Sequence, residues 1–209
     1  MRLDKIAAKP DRVGRYRVDF EDGSVMRLYR QTIQDYGLYA GMELTQEQKA
    51  SLHSASGQMS AKMRAVRIVT ASDVSRADLR QRLIQKGEDP EQAKRAVEWM
   101  EELQLVDDRR TAEQIVSRCA AKGYGIARAR QALYEKRIPK EYWEDALTLY
   151  PDQSLHIRQF LRERLNSGSD ERDRKRAIDA LLRKGHSYGQ IRSALRELDF
   201  DEFQEEWDG

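Results

Sequence analysis

The sequence predicts a mainly α-helical fold of three tandem three-helix repeats, preceded by a small domain that contains a β-hairpin. Three observations support this fold class. Alternation of apolar and polar residues with period two is confined to the N-terminal part of the chain. Helix start and end signals follow one another from Thr45 onward. The helical part also repeats internally around three anchor residues, Ser75, Gly125 and Ser187.

The N-terminal segment carries a hairpin pattern. Residues 16–20 alternate between apolar and polar, Asp22-Gly23 follows, and residues 25–29 form a second apolar-rich run. Asp-Gly between two such runs is typical of a hairpin turn. Because an isolated hairpin is only marginally stable in water, we expect a further strand near residues 38–44 or packing against the later helices.

Capping residues mark the helix starts, often with a partner three residues later. The predicted starts lie at Thr45, Ser75, Asp89, Asp107, Pro139 and Ser187. Glycine and proline mark the helix ends. The predicted ends lie at Gly87, Gly123, Pro151 and Gly185 and within residues 166–169. The short joints between these signals predict an array of small helical units.

An alignment of three segments defines the repeat. With Ser75, Gly125 and Ser187 at position zero, an apolar residue fills position +4, arginine fills +5 and leucine fills +8 in every copy. The helix before each anchor also repeats its apolar positions. A third helix is expected to start about fourteen residues after each anchor, at Asp89, Pro139 and Asp201.

This repeat divides the chain into four segments. They are a small N-terminal β-containing domain (1–58), repeat 1 (59–106), repeat 2 (107–150) and repeat 3 with an acidic C-terminal end (151–209). Hydrophobic residues make up 39% of the chain and charged residues 35%, which is too little apolar material for one thick core. Modules stacked in line bury only contacts with their neighbours, so we expect an elongated, curved body.

The charge distribution favours a polyanionic partner, although the net charge is only +2. Residues 109–198 hold 20 basic and 12 acidic side chains, and residues 199–209 hold six acidic and no basic ones. The single cysteine, Cys119, falls on the core face of its helix and excludes an intramolecular disulfide, which favours a cytoplasmic location. Neither a secretion signal nor a membrane span is indicated.

The sequence offers no catalytic or metal-binding constellation. His53, His156 and His186 are scattered, without the spacing of zinc ligands or of a catalytic triad. Neither a GxxxxGK[ST] phosphate loop nor a GxGxxG motif occurs. We therefore expect a protein that is not an enzyme and that uses no cofactor or metal.

Arginine at position +5 of each repeat is one candidate binding feature. These residues are Arg80, Arg130 and Arg192. Position +5 flanks the buried stripe of a helix. The side chains then either cover apolar surface with their stems or form a basic stripe suited to phosphate or to an acidic groove.

The strongest candidate for DNA contact surrounds the first helix joint of repeat 2. Four cations lie there within thirteen residues that contain no acid, namely Arg118, Lys122, Arg128 and Arg130. Tyr124 lies among them and either stacks on a base or caps the helix end. In repeat 3, Lys184 belongs to a basic stretch that acidic residues interrupt. The basic and acidic side chains of this stretch can form ion pairs with each other along a helix.

Several motifs resemble the RecX family of recombinase regulators. They are the helix 75–83, Leu105-Val106-Asp107-Asp108 with Ala112, Lys122-Gly123 before Arg130-Gln131-Ala132-Leu133, and Lys136-Arg137-Ile138. Their order and spacing cover roughly residues 59–200. The resemblance implies a bacterial cytoplasmic protein that regulates the RecA recombinase by binding in the groove of its filament on single-stranded DNA.

We therefore expect a monomeric, non-enzymatic inhibitor of RecA that limits filament growth and strand exchange. Its expected partners are the RecA filament and single-stranded DNA, with double-stranded DNA as a further candidate. Two alternatives stay open. One is an autonomous DNA-binding protein that uses helix-turn-helix-like pairs such as residues 75–100. The other is a protein–protein adaptor whose charges only aid solubility.

Overall fold

A small antiparallel sheet precedes a chain of α-helices, which confirms the mainly helical fold class with a β-containing N-terminus. The structure, a computed structural model, describes residues 1–166 and 168–205, with side chains as far as Leu198. Two compact units divide the chain, Met1–Val106 and Asp107–Gly209. The first unit contains the sheet and repeat 1, and the second contains repeats 2 and 3. The elongated, curved shape stays a prediction.

Three strands form the sheet, in the order β1 (Leu3–Ile6), β2 (Arg15–Phe20) and β3 (Val25–Tyr29). Strands β2 and β3 are the predicted hairpin, and Gly23 in its turn adopts a φ of +77°. The third strand is β1, and the segment near residues 38–44 adds only an isolated antiparallel bridge beside it, between Arg2 and Glu43, so that expectation is confirmed in part. Strand β1 pairs with β2 although two of its four residues are charged, which hides its alternation in the sequence.

Helix α1 (Arg30–Asp35) and the long helix α2 (Gln46–Ala71) follow the sheet. The predicted capping box at Thr45 is present, since the Gln48 amide donates to the Thr45 hydroxyl and the Gln48 side chain accepts from the Thr45 amide. Leu52 of α2 belongs to the core under the sheet, which confirms packing on a later helix. Ala61 and Ala65 of the same helix belong to the core of repeat 1.

The predicted boundary at residues 58/59 therefore falls inside α2. A single helix serves both the sheet and repeat 1, because no breaking residue interrupts it between Leu52 and Ala65 except the tolerated Gly57.

Repeat 1 is completed by α3 (Arg76–Gln85) and α4 (Pro90–Glu102). Both helices begin where predicted: the Ser75 hydroxyl accepts from the Asp78 amide, and the Asp89 carboxylate accepts from two amides of α4. These bonds satisfy the otherwise unpaired first amides of each helix.

Repeat 2 contains α5 (Asp108–Ala121), α6 (Ile126–Glu135), a short 3-10 turn (Lys140–Tyr142) and α7 (Trp143–Thr148). The Asp107 carboxylate caps α5 by accepting from the Arg110 amide. Cys119 is buried, as its position in the repeat predicts. Position +4 is fully buried in all three repeats, at Leu79, Ala129 and Ile191, which confirms the alignment.

Repeat 3 differs from the prediction in its third helix. Its helices are α8 (Ser154–Arg162), α9 (Glu171–Arg183) and α10 (Tyr188–Glu205). Helix α10 continues through Asp201, so no new helix starts there. The third helix is instead α8, formed by the insertion before the repeat, and its buried Ile157 and Leu161 fill the core. The predicted roles of Phe200, Phe203 and Trp207 in the acidic end lie outside the described side chains.

Candidate nucleic-acid interface

Repeats 2 and 3 meet where two helix turns pack backbone against backbone. The Gly125 amide donates to the Lys184 carbonyl at 3.0 Å, and the Ala127 amide donates to the Gly185 carbonyl at 3.3 Å. A Cβ atom on Gly125 would overlap the Gly185 carbonyl, and one on Gly185 would overlap the backbone of Arg128. Any side chain larger than hydrogen at either position would therefore clash with the opposite backbone. The sequence had marked Gly185 only as a helix end and Gly125 only as an anchor of the repeat.

A buried histidine links the same two turns. His186 is 4% exposed, and its Nε2 lies 3.0 Å from the Gly123 carbonyl oxygen, to which the neutral ring donates. Burial lowers the pKa of His186, and the nearby Lys184 and His156 lower it further against the opposing bond to Gly123. The ring is therefore neutral at neutral pH and acts as a structural link between the repeats.

A cleft of about 170 Å³ opens beside this link. The groups that matter for its chemistry are Lys122, His156, Phe160, Glu163, Lys184 and His186, and we call it the joint cleft. The His156 ring packs over Gly123, so that a Cβ atom at that position would lie 3.0 Å from it. Helices α5, α8 and α9 each contribute to the cleft, either directly or through the turn that follows them.

The cations predicted around this joint differ in their partners. Arg128 pairs with Glu135 at 3.3 Å, and Arg130 pairs with Glu144 at 3.5 Å. Glu135 lies at the end of the same helix and Glu144 lies on α7, and exposed pairs of this kind contribute little stability. Arg118 donates to the Gln114 carbonyl at 3.3 Å.

Lys122 is exposed and makes no salt bridge with any described residue. Lys122 and Lys184 line the same cleft, although they are far apart in the sequence. Lys184 is half-buried, and its Nζ lies 4.7 Å from the centre of the Phe160 ring.

The field of these cations acts on a neighbouring thiol. Burial raises the pKa of Cys119, while Arg128, Lys122 and Arg118 act to lower it. Three of the predicted cations therefore lie close enough to Cys119 to influence its ionisation. The buried thiol stays protonated and inert at neutral pH.

Tyr124 is half-buried and packs against the core of repeat 2. Its carbonyl accepts a bond of 2.7 Å from the Tyr150 hydroxyl. This arrangement favours the helix-cap interpretation over stacking on a base. Burial raises the pKa of Tyr150 to about 12, so its hydroxyl remains a donor throughout the physiological range.

The +5 arginines are exposed in each repeat, next to a fully buried residue. Arg80 lies in the first unit, and Arg130 and Arg192 lie in the second. The single basic stripe that they were expected to form stays a prediction.

Sequence reasoning missed His156, Phe160 and His186 as parts of one site. His156 and His186 are thirty residues apart and share no motif, so no sequence signal joins them. Within the described residues, no group of three or more His, Cys, Asp or Glu side chains is arranged to hold a metal ion. No helix in that part of the chain has the length and apolar character needed to span a membrane.

Fold and joint together define a protein of tandem three-helix repeats with a cationic cleft between repeats 2 and 3. A family model described as "RecX, second three-helix domain" matches residues 107–147. Regulatory protein RecX of Vibrio parahaemolyticus is 28% identical over 68% of this chain and 94% of its own length. Regulatory protein RecX of Leptothrix cholodnii is 29% identical over 69% and 92%. The chain is therefore similar to regulatory proteins of the RecX family over about two thirds of its length.

Solved structures show the same fold. A crystal structure of a regulatory protein RecX superposes with a TM-score of 0.62 at 22% identity, covering 92% of this chain and 98% of the other. The crystal structure of RecX from Lactobacillus salivarius gives a TM-score of 0.59 at 22% identity, covering 70% and 99%.

Proposed function

We propose that this chain regulates the RecA recombinase, as an inhibitor that binds along the recombinase–single-stranded DNA filament and limits filament growth and strand exchange. The observation that carries the proposal is the joint cleft, where Lys122 and Lys184 meet without a carboxylate partner. Such positive charge repels itself and is favourable beside an anionic polymer. Similarity to regulatory proteins RecX supports a regulatory role.

The proposed mechanism is occupancy and needs no catalytic step. A protein that lies along the filament competes with incoming duplex and hinders the exchange of subunits. In this proposal the protein is a cytoplasmic monomer that uses no cofactor, and it contacts both RecA and single-stranded DNA, with double-stranded DNA as a further candidate partner. The exposed arginines at position +5 are further candidate contacts in this proposal, Arg130 and Arg192 in the second unit and Arg80 in the first.

RecA-catalysed strand exchange and single-stranded-DNA-dependent ATP hydrolysis, measured with and without the chain, test the proposal. We expect both rates to fall as the chain is added. Unchanged rates at several-fold molar excess over RecA would contradict it.

The salt dependence of binding to single-stranded DNA separates the alternatives. Each phosphate contacted contributes about −0.7 to the slope of log affinity against log salt concentration. A slope near zero would favour the protein–protein adaptor. Protection of one particular duplex sequence at physiological salt would favour the autonomous DNA-binding protein.

A further inference from the structure

We propose that the joint cleft is a phosphate-binding site, in which the ammonium groups of Lys122 and Lys184 and the His156 ring hold one phosphate group of a nucleic-acid backbone. The binding of phosphate follows from the cleft alone. Its assignment to a nucleic acid rests on the proposed function.

The two lysines supply the charge. Lys122 follows α5 and Lys184 follows α9, so each stands at a helix end next to a glycine turn. The packing of Gly125 against Gly185 holds these two turns together. Both lysines therefore line the same cleft on backbone segments that are fixed relative to each other. Neither forms a salt bridge with a described residue. Ammonium groups held in this way bind phosphate as paired point charges.

His186 gives a second, independent observation. His186 is one of the residues that line the cleft, and its Nδ1 is buried without a hydrogen-bond partner among the described residues. Buried polar atoms are normally satisfied, by protein or by ordered water. Because Nε2 donates to Gly123, Nδ1 of the neutral ring is an acceptor. A water molecule that donates one hydrogen to Nδ1 and the other to a phosphate oxygen would satisfy it.

The volume fits this arrangement. A water molecule occupies about 30 Å³ in the liquid. A cleft of about 170 Å³ therefore has room for one phosphate group together with bridging water.

Phe160 favours a phosphate over a base as the occupant. Its ring is contacted by Lys184 at 4.7 Å and by Arg164 at 4.4 Å from the ring centre. Cations that already occupy the ring compete with a stacking base. The same contacts add positive charge beside the cleft, which a phosphate needs.

Glu163 is the one acidic group among the residues that line the cleft. Its carboxylate accepts from the Gln159 amide at 3.0 Å and makes no salt bridge within the described part of the chain. It opposes anion binding, so its neutralisation should strengthen binding. Glu163→Gln is expected to tighten phosphate binding about two- to threefold, an effect that loss of folding would not produce.

The histidine ring signals in the NMR spectrum of the full chain provide the direct test. The chain has three histidines, and His53 lies on α2 in the other unit, where it serves as an internal control. Titration with inorganic phosphate at constant pH is expected to shift the signals of His156 and His186 to saturation and to leave His53 unchanged. Chloride at equal ionic strength is expected to shift none of them.

Two pairs of substitutions complete the test. Lys122→Gln with Lys184→Gln is expected to weaken phosphate binding about tenfold. Lys140→Gln with Lys175→Gln removes the same charge from exposed positions that do not line the cleft, and is expected to leave binding unchanged. A circular dichroism spectrum and a urea midpoint like those of the unmodified chain show that each variant is folded.

Equal shifts in all three histidines, no saturable shift, or an unchanged shift in the Lys122/Lys184 variant would overturn the phosphate site. A thymidine oligonucleotide distinguishes the source of the phosphate. We expect it to produce the same shifts at lower concentration than inorganic phosphate, and a failure to do so would overturn the assignment to nucleic acid. Because RecA is absent from these experiments, their outcome is independent of the regulatory assay.

Discussion

Repeat 1 and the joint between repeats 2 and 3 differ in whether their cationic side chains form salt bridges. In repeat 1, Arg64 pairs at 2.7 Å with Glu88, whose side chain is 8% exposed, and Arg82 pairs with Asp78 at 2.8 Å. At the joint, Lys122 and Lys184 line a cleft without such a pair. The sequence around each region is similarly rich in cations. The difference teaches that tertiary partners, and not local charge counts, decide which cations are available to a ligand.

The largest effect is expected from Gly125→Ala, which tests whether the joint is interlocked. The added Cβ atom overlaps the Gly185 carbonyl, so we expect the free energy of unfolding to fall by about 3 kcal/mol. Urea unfolding measures this. Gly125 has an ordinary φ of −79°, so the loss reports the contact and not the backbone conformation. The equivalent residue of repeat 1, Ser75, carries a side chain that caps its helix.

Gly189→Ala is the matched control for this prediction. It lies in the first turn of α10, where a Cβ atom would meet only the Ser187 hydroxyl at 4.0 Å. We expect no loss of stability there. An equal loss in the two variants would show that the backbones of repeats 2 and 3 are not in contact.

Glu88→Gln should have the next largest effect, because it removes the buried partner of Arg64 in repeat 1. We expect a loss of about 2 kcal/mol in the free energy of unfolding. Lys122→Gln with Lys184→Gln breaks no salt bridge and should change stability by less than about 0.5 kcal/mol. Chemical denaturation of the two variants in parallel makes the comparison. If the Lys122/Lys184 variant lost as much free energy of unfolding as Glu88→Gln does, the proposed difference between the two regions would be wrong.

A smaller effect is expected at the end of α6. Arg137 adopts a φ of +54°, whereas the residue at the same position of repeat 1 is Gly87, with a φ of +86°. Left-handed backbone costs about 1 kcal/mol for a residue with a Cβ atom. Arg137→Gly should therefore be more stable than Arg137→Ala by about that amount in thermal unfolding. Both variants remove the same side-chain interactions, so equal stabilities would contradict backbone strain.

The smallest effect is expected from the pH dependence of the joint. The pKa of His186 is lowered in the folded state, so below pH 6.5 the unfolded state binds more protons than the folded state does. Stability contributed by the neutral ring is complete above pH 6.5 and is lost as the pH falls through the lowered folded pKa. His186→Gln, which keeps a donor for the Gly123 carbonyl, should flatten this dependence.

Urea midpoints at about pH 7.5 and about pH 5.5 measure the effect. His53→Gln, at an exposed position of α2, is the control and should keep the wild-type pH dependence. The same loss of stability on acidification in wild type and in His186→Gln would assign the effect to other groups.

Much of the helical framework was predictable because its signals are local. Ser75, Asp89 and Asp107 each cap a helix through amides no more than three residues away. The order of caps and glycines thus specifies the helices before any tertiary contact forms. The buried +4 positions followed from the 3.6-residue period for the same reason.

The candidate site was only partly predictable. The cations around Lys122 were visible as an acid-free stretch, but their pairing was not, because Glu144 lies on another helix. Strand β1 and helix α8 were missed or misassigned, since their place in the fold depends on what they pack against. The continuity of α10 through Asp201 was also missed, because a capping residue inside a helix has the same sequence appearance as one at its start.

Local sequence thus dictated the helix boundaries, the repeat and the buried face of each helix, because these depend on backbone hydrogen bonds and apolar spacing within a few residues. Tertiary structure alone decided that Lys122, His156 and Lys184 share one cleft, and that His186 joins two repeats. These relations depend on the close approach of Gly125 to Gly185, which are sixty residues apart. No local pattern encodes such an approach, because its energy comes from contacts that exist only after the repeats have packed.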